Sequence, residues 1–131
     1  MLLADRVGPG PQQEDLWRQA AAYFEQAMRL DPYSPFNYHE LGKLRWAQGR
    51  EEEALALFRR AISYEPNFLP ARAQLAELSQ ETGQREVAKA EYEQIVKVKE
   101  RYRGWNLTAL ERQFLEVDSE RLKRALSMVG P

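Results

Sequence analysis

Apolar side chains recur along this chain with helical spacing, and the spacing itself recurs. Ala20, Phe24, Ala27 and Leu30 mark one face of a helix read from LWRQAAAYFEQAMRLDP. After 34 residues come Ala54, Phe58, Ala61 and Tyr64, and after the same interval Ala88, Tyr92, Ile95 and Val98. The punctuation keeps step, since Pro32 returns as Pro66, Leu41 as Leu75 and Gly49 as Gly83. A fixed period of this length signals stacked helix pairs, each too small to bury its own apolar face and stable only against its neighbours.

The middle unit, PFNYHELGKLRWAQGREEEALALFRRAISYEPN, shows how one pair is built. Tyr38, Leu41 and Arg45 share a face of its first helix. Gly42 and Ala54 are small where two helices must approach, and Phe58 fills the space between them. Gly49 can take the positive φ that ends the first helix. Glu51, Glu52 and Glu53 suit the positive start of the second, and Pro66 stops it. Through Tyr38, Leu41, Gly42, Gly49, Ala54, Phe58, Ala61 and Pro66 this unit resembles the tetratricopeptide repeat. The resemblance implies an all-α fold, a right-handed α-solenoid of antiparallel helix pairs.

On that pattern residues 1–11 read as a flexible lead, because Gly8, Pro9, Gly10 and Pro11 oppose a helix. Residues 12–34 form a half repeat with a single helix, and residues 35–68 and 69–103 form full repeats. In the second of these Leu75, Ala76, Gly83, Ala88, Tyr92 and Ile95 keep register, while Arg72 stands where the family has its first aromatic. Glu100 replaces the terminal proline, so that helix is expected to run on towards Gly104. Residues 104–131 are expected to form a capping helical hairpin. Thr108 and Glu111 have capping-box spacing before the stripe Leu107, Leu110 and Phe114. Asp118 or Ser119 can cap a last helix with Leu122, Ala125 and Leu126.

Composition narrows the chemistry. Nineteen basic and 20 acidic side chains give a net charge of −1, so no global field attracts nucleic acid or anionic membrane. The absence of cysteine removes disulfides and thiolate chemistry. His39 is the single histidine, and no phosphate loop or metal-ligand spacing accompanies it, so no enzyme, cofactor or metal is expected. For His39 as a general base an orienting partner is missing, because Glu40 is adjacent in sequence and Lys43 opposes protonation. KVKERYRGW combines Lys97, Lys99, Arg101 and Arg103 with Tyr102 and Trp105. Cations at a helix end explain it better than an RNA surface, which stays a lesser alternative.

The function expected is therefore protein binding. In the tetratricopeptide family the first helices of successive units line a concave groove for peptides or partner helices. The resemblance places Phe36, His39, Lys43, Trp46 and Ala47 there, followed by Ala73, Gln74, Glu77, Gln80 and Glu81. The repeat core is expected at Ala20, Phe24, Ala27, Tyr38, Leu41, Gly42, Ala54, Phe58, Ala61, Leu75, Ala88, Tyr92 and Ile95. Receptors for chaperone C-terminal tails carry lysine and asparagine pairs where this chain offers His39 with Lys43 and then Gln74, so that subfamily is disfavoured. The unpaired first helix suggests a homodimer through its apolar face. No run is apolar enough to span a bilayer, and a cytoplasmic location is expected. More weakly, VKERYRGWNLTALERQFLEVDSERLKRAL resembles the repeat tail of bacterial O-antigen ligase and polymerase-type membrane proteins, which implies a soluble appendage of a glycan-assembly protein.

Overall fold

A computed structural model describes residues 10–129, in which seven helices and no strand are found. They are α1 (Pro11–Leu30), α2 (Pro35–Ala47), α3 (Glu51–Tyr64), α4 (Leu69–Glu81), α5 (Arg85–Arg101), α6 (Ala109–Phe114) and α7 (Ser119–Val129). Helices α2 with α3 and α4 with α5 are antiparallel pairs. Helix α1 stacks on α2, α3 on α4, and α7 on α5, which makes an α-solenoid. The expected flexible lead lies outside the described residues except for Gly10 and Pro11. Pro11 opens α1, a position where a missing N–H removes no helical bond.

The turns inside the pairs follow from two glycines. Gly49 and Gly83 have φ of 78° and 82°. That left-handed step lets the chain fold back, and Arg50 N–H reaches Arg45 O at 2.8 Å as Gln84 N–H reaches Ser79 O at 2.7 Å. Inside the first pair Phe58 is fully buried, and a Cβ at Gly42 would lie 2.6 Å from its ring. The contact therefore permits only hydrogen. In the second pair Ala76 and Tyr92, one period later, are likewise buried.

Arg72 keeps a function of the aromatic it replaces. Tyr38 Oη donates to Pro32 O at 2.8 Å, and one period later Arg72 Nε donates to Pro66 O at 2.7 Å. The guanidinium also meets Glu91 on α5 at 2.7 Å, with both side chains less than a fifth exposed at 13% and 17%. A charge-assisted bond between the two helices thus stands where the middle unit has a phenol.

The expectation of core positions in α1 needs correction. Ala20, Phe24 and Ala27 are half-buried and only Ala21 is buried, whereas Ala54, Phe58 and Ala61 have no exposure. The reason is the missing partner: α2 seals its side of α3, and among the described residues no helix seals the same side of α1. At the other end the two terminal helices divide their work unequally. Helix α7 buries Leu122 and Val129 in the cluster around Tyr92, Ile95 and Val98, and Arg85 Nη2 donates to Val129 O at 2.8 Å. Helix α6 contributes no buried residue.

Candidate functional site

The first helices α2 and α4 lie side by side, and the stretch from α6 to the start of α7 crosses them. This leaves a cleft of about 450 Å³ between α2, Phe68, Pro70 and the chain at Gln113–Asp118. A smaller hollow of about 140 Å³ continues it between α4 and α7, sharing Pro70, Val117 and Asp118.

Helical register decides which side chains reach this surface. His39 and Trp46 were expected in the groove; with Gly42 they form an i, i+3, i+7 stripe that meets Phe58, and of the two His39 still lines the floor of the cleft. The His39 ring lies 6.0 Å from Phe58 and 5.4 Å from Phe68, and only 6% of the residue is exposed. Trp46 stands edge-on to Phe58 at 6.4 Å and is half-buried. The open stripe is Phe36, Glu40, Lys43 and Ala47, of which Glu40 escaped the sequence reading. One period on, Ala73, Ala76 and Gln80 take the inward stripe, and Pro70, Gln74, Glu77 and Glu81 take the groove stripe. Ala73 packs on the core, and Gln80 Oε1 is buried without a hydrogen-bond partner.

Phe36 is not a free anchor either. It is edge-on to Phe68 at 4.9 Å and covered by Phe114 of α6 at 5.5 Å. Lys43 is exposed and pairs with Glu40 at 3.1 Å. Glu77 is gripped by Arg121 of α7 through two contacts of 2.6 and 2.9 Å. Burial raises the Glu77 pKa, while the Arg121 charge pulls it back. Four acidic groups, Glu40, Glu77, Glu116 and Asp118, thus line a groove whose cations, Lys43 and Arg121, are already paired, and exposed Glu81 adds its charge beside Glu77.

Burial lowers the His39 pKa to about 4, with nearby Lys43 adding to the effect. The imidazole is neutral at pH 7, and its Nδ1 has no partner. Neither a nucleophile nor an orienting carboxylate reaches it. Among the described residues no group of three or more His, Asp or Glu is placed to hold a metal ion. The aromatic and basic stretch after α5 is also used locally: Tyr102 is edge-on to Trp105 at 4.9 Å and accepts from Asn67 Nδ2 at 3.4 Å, and Arg103 pairs with Glu100 at 2.8 Å. On the far side of the stack α1 exposes Leu16, Tyr23 and Leu30 at 58%, 69% and 79%.

A helix-pair stack of this period, with small residues at its close contacts, defines a class. A family model described as Tetratricopeptide repeat matches residues 45–110, and the chain belongs to that family. Protein NPGR2 of Arabidopsis thaliana is 33% identical over 69 residues, which are 53% of this chain and 9% of NPGR2. The chain therefore spans under a tenth of that relative's length.

Among solved structures, the type III secretion chaperone SycD of Yersinia enterocolitica, in complex with a peptide of the translocator YopD, is similar with a TM-score of 0.68. It shows 19% identity over 90% of this chain and 82% of SycD. PcrH, in complex with the chaperone binding region of PopD, gives 0.67 and 19% over 90% and 81%. The Sgt2 repeat domain of Aspergillus fumigatus gives 0.58 and 18% over 92% and 82%. At these identities the likeness is one of fold. None of these matches supports the glycan-assembly reading of the C-terminal third. No helix among the described residues is long and apolar enough to cross a membrane.

Proposed function

We propose that the chain is a non-catalytic protein-interaction module that takes a peptide or helix of a partner protein along the face of α2 and α4. The observation that carries this reading is the continuous groove over Phe36, Lys43, Pro70 and Glu77, which has an apolar floor and an excess of carboxylates. SycD and PcrH, of similar fold, are complexed with segments of other proteins, which supports it. The charge balance favours a basic partner segment, since opposite potentials steer and orient encounter.

The test is selection of binders from a displayed peptide library, followed by calorimetric titration. Replacing Glu40 and Glu81 together by lysine should weaken the selected peptides about tenfold at low salt. Glu93→Lys on the second helix of its pair should change nothing. Equal affinities across all three proteins would remove the groove from the reading.

A second contact is favoured by the bare half of α1, where Leu16, Tyr23 and Leu30 lie at heptad intervals beside Ala20 and Ala27. Self-association through this face predicts a mass that rises with concentration and falls to the monomer with Tyr23→Lys. A monomer at every concentration sinks it.

A further inference from the structure

We infer that Phe36, His39 and Phe68 form a binding slot for an aromatic side chain, and that Phe114 of the chain's own α6 now occupies it as a displaceable internal ligand. The inference rests on the groove reading above and specifies its anchor. A partner segment presenting a phenylalanine-like residue on a short helix would replace α6 there.

The first support is how Phe114 is held. Its ring lies 5.5 Å from Phe36 and 5.6 Å from Phe68, so three aromatic rings meet at the starts of α2 and α4. Such tilted and edge-on pairs are specific in geometry as well as apolar. Phe114 is nevertheless only half-buried.

The second support is that, among the described residues, no polar contact fastens the segment to the stack, which holds it only through Phe114 and the apolar packing of Leu115 and Val117. Helix α6 has six residues and buries none of them. Its polar bonds are internal: Thr108 N–H donates to Glu111 Oε2 at 2.6 Å, Glu111 N–H to Thr108 Oγ1 at 3.2 Å, and Arg112 Nη1 to Leu107 O at 2.7 Å. Among the described residues, no hydrogen bond or ion pair joins 106–117 to α1–α5. Helix α7 differs, with its buried leucine and valine and its Arg121 bonds to Glu77. Leu115 and Val117, which follow α6, pack on the cluster around Tyr92, Ile95 and Val98. Lifting α6 would therefore break the aromatic contacts of Phe114 and turn the chain about Leu115, while Leu122, Val129 and Arg121 keep α7 on the stack.

The third support is the slot itself. The cleft beside Phe114 extends over His39, whose Nδ1 is buried without a partner. An incoming segment that fills more of this volume than Phe114 does has an advantage over α6.

The probe for this inference is the peptide LTALERQFLEV, which copies residues 107–117, labelled with fluorescein and titrated by anisotropy onto the full chain. A site blocked from within reduces apparent affinity by the fraction of molecules that are open. The probe should bind a Phe114→Ala chain at least about tenfold more tightly than the wild type, on the view that the open form is a minor one. A probe with alanine for its phenylalanine should bind neither, and Phe36→Ala added to Phe114→Ala should abolish binding.

In the wild type, saturating probe should speed hydrogen exchange at residues 109–114 and slow it at the start of α2. Equal affinity for the wild type and Phe114→Ala overturns internal occupation while leaving the groove reading intact. Failure to bind Phe114→Ala, with circular dichroism showing that it is folded, overturns the slot. If Phe114→Ala converts a dimer to a monomer, copies exchange the segment and the internal assignment is wrong.

Discussion

Gly42→Ala tests the packing that defines the first complete helix pair. An ideal Cβ at Gly42 lies 2.6, 2.8 and 3.2 Å from Cε1, Cδ1 and Cζ of Phe58. Ordinary carbon contacts are about 3.5–4.0 Å, so the ring must retreat by nearly 1 Å. It has nowhere to go, since Phe58 is fully buried with His39 and Trp46 against it. Overpacking of this kind costs about 1–3 kcal/mol, while replacing a helical glycine by alanine returns about 1 kcal/mol. The net expectation is a loss of up to about 2 kcal/mol, or a melting temperature lower by up to about 8 °C.

Urea unfolding followed by circular dichroism reads this directly, with a lower midpoint at unchanged slope. The companion variant Phe58→Leu makes room for the new methyl. The pair should then be less destabilising than the sum of its members by about 1 kcal/mol or more. A Gly42→Ala protein more stable than the wild type by the full helix-propensity gain of about 1 kcal/mol, or additive behaviour in the cycle, would refute the close approach as the reason for glycine.

Three further outcomes follow from the same structure. The folded-state pKa of His39, about 4, lies below the ordinary 6.5, so the unfolded chain takes up its proton first. Its contribution is intact above about pH 6.5 and declines as pH falls towards 4. It removes about 2 kcal/mol by pH 5, which His39→Leu should flatten in urea titrations at pH 7.5 and 5. Glu91→Ala strands the mostly buried Arg72 cation and should cost about 2–3 kcal/mol. Unchanged stability would show that Pro66 O and solvent suffice for it. Gly49→Ala keeps open space around its Cβ but forces an L side chain to φ of 78°, and should lower stability by about 1 kcal/mol without coupling to Phe58.

How much was legible beforehand depends on which physical constraint each residue obeys. The repeat could be read because a helix pair can bury its apolar face only if small and large residues return at fixed intervals. Gly42, Ala54, Phe58 and Ala61 are forced by that contact alone. The turns were legible too, because few residues besides glycine sit easily at the φ of Gly49 and Gly83. Arg72 looked like a departure, since no pattern of residue types announces that a guanidinium 19 positions before a glutamate will take over a phenol's bond to a proline carbonyl.

The groove was blurred for a geometric reason. Positions three and four apart are both neighbours on a helix, so the spacing that put His39 beside Phe36 fits Glu40 equally well, and only the packing of His39 on Phe58 shows that Glu40 takes the open side. In the same way, α1 has an apolar face that no helix among the described residues seals on that side. The half-burial of Phe24 is a fact about its neighbours rather than about phenylalanine.

By itself, then, the sequence determined the local and periodic features: a helical stripe here, a glycine stop there, and a 34-residue interval that sets which elements stack. Only the tertiary structure decided that Phe114, far along the chain, returns to cover Phe36 and Phe68. Periodicity constrains contacts between neighbouring units, where spacing is fixed. It says nothing of a segment outside the period, whose place is set by whichever surface the stack leaves open.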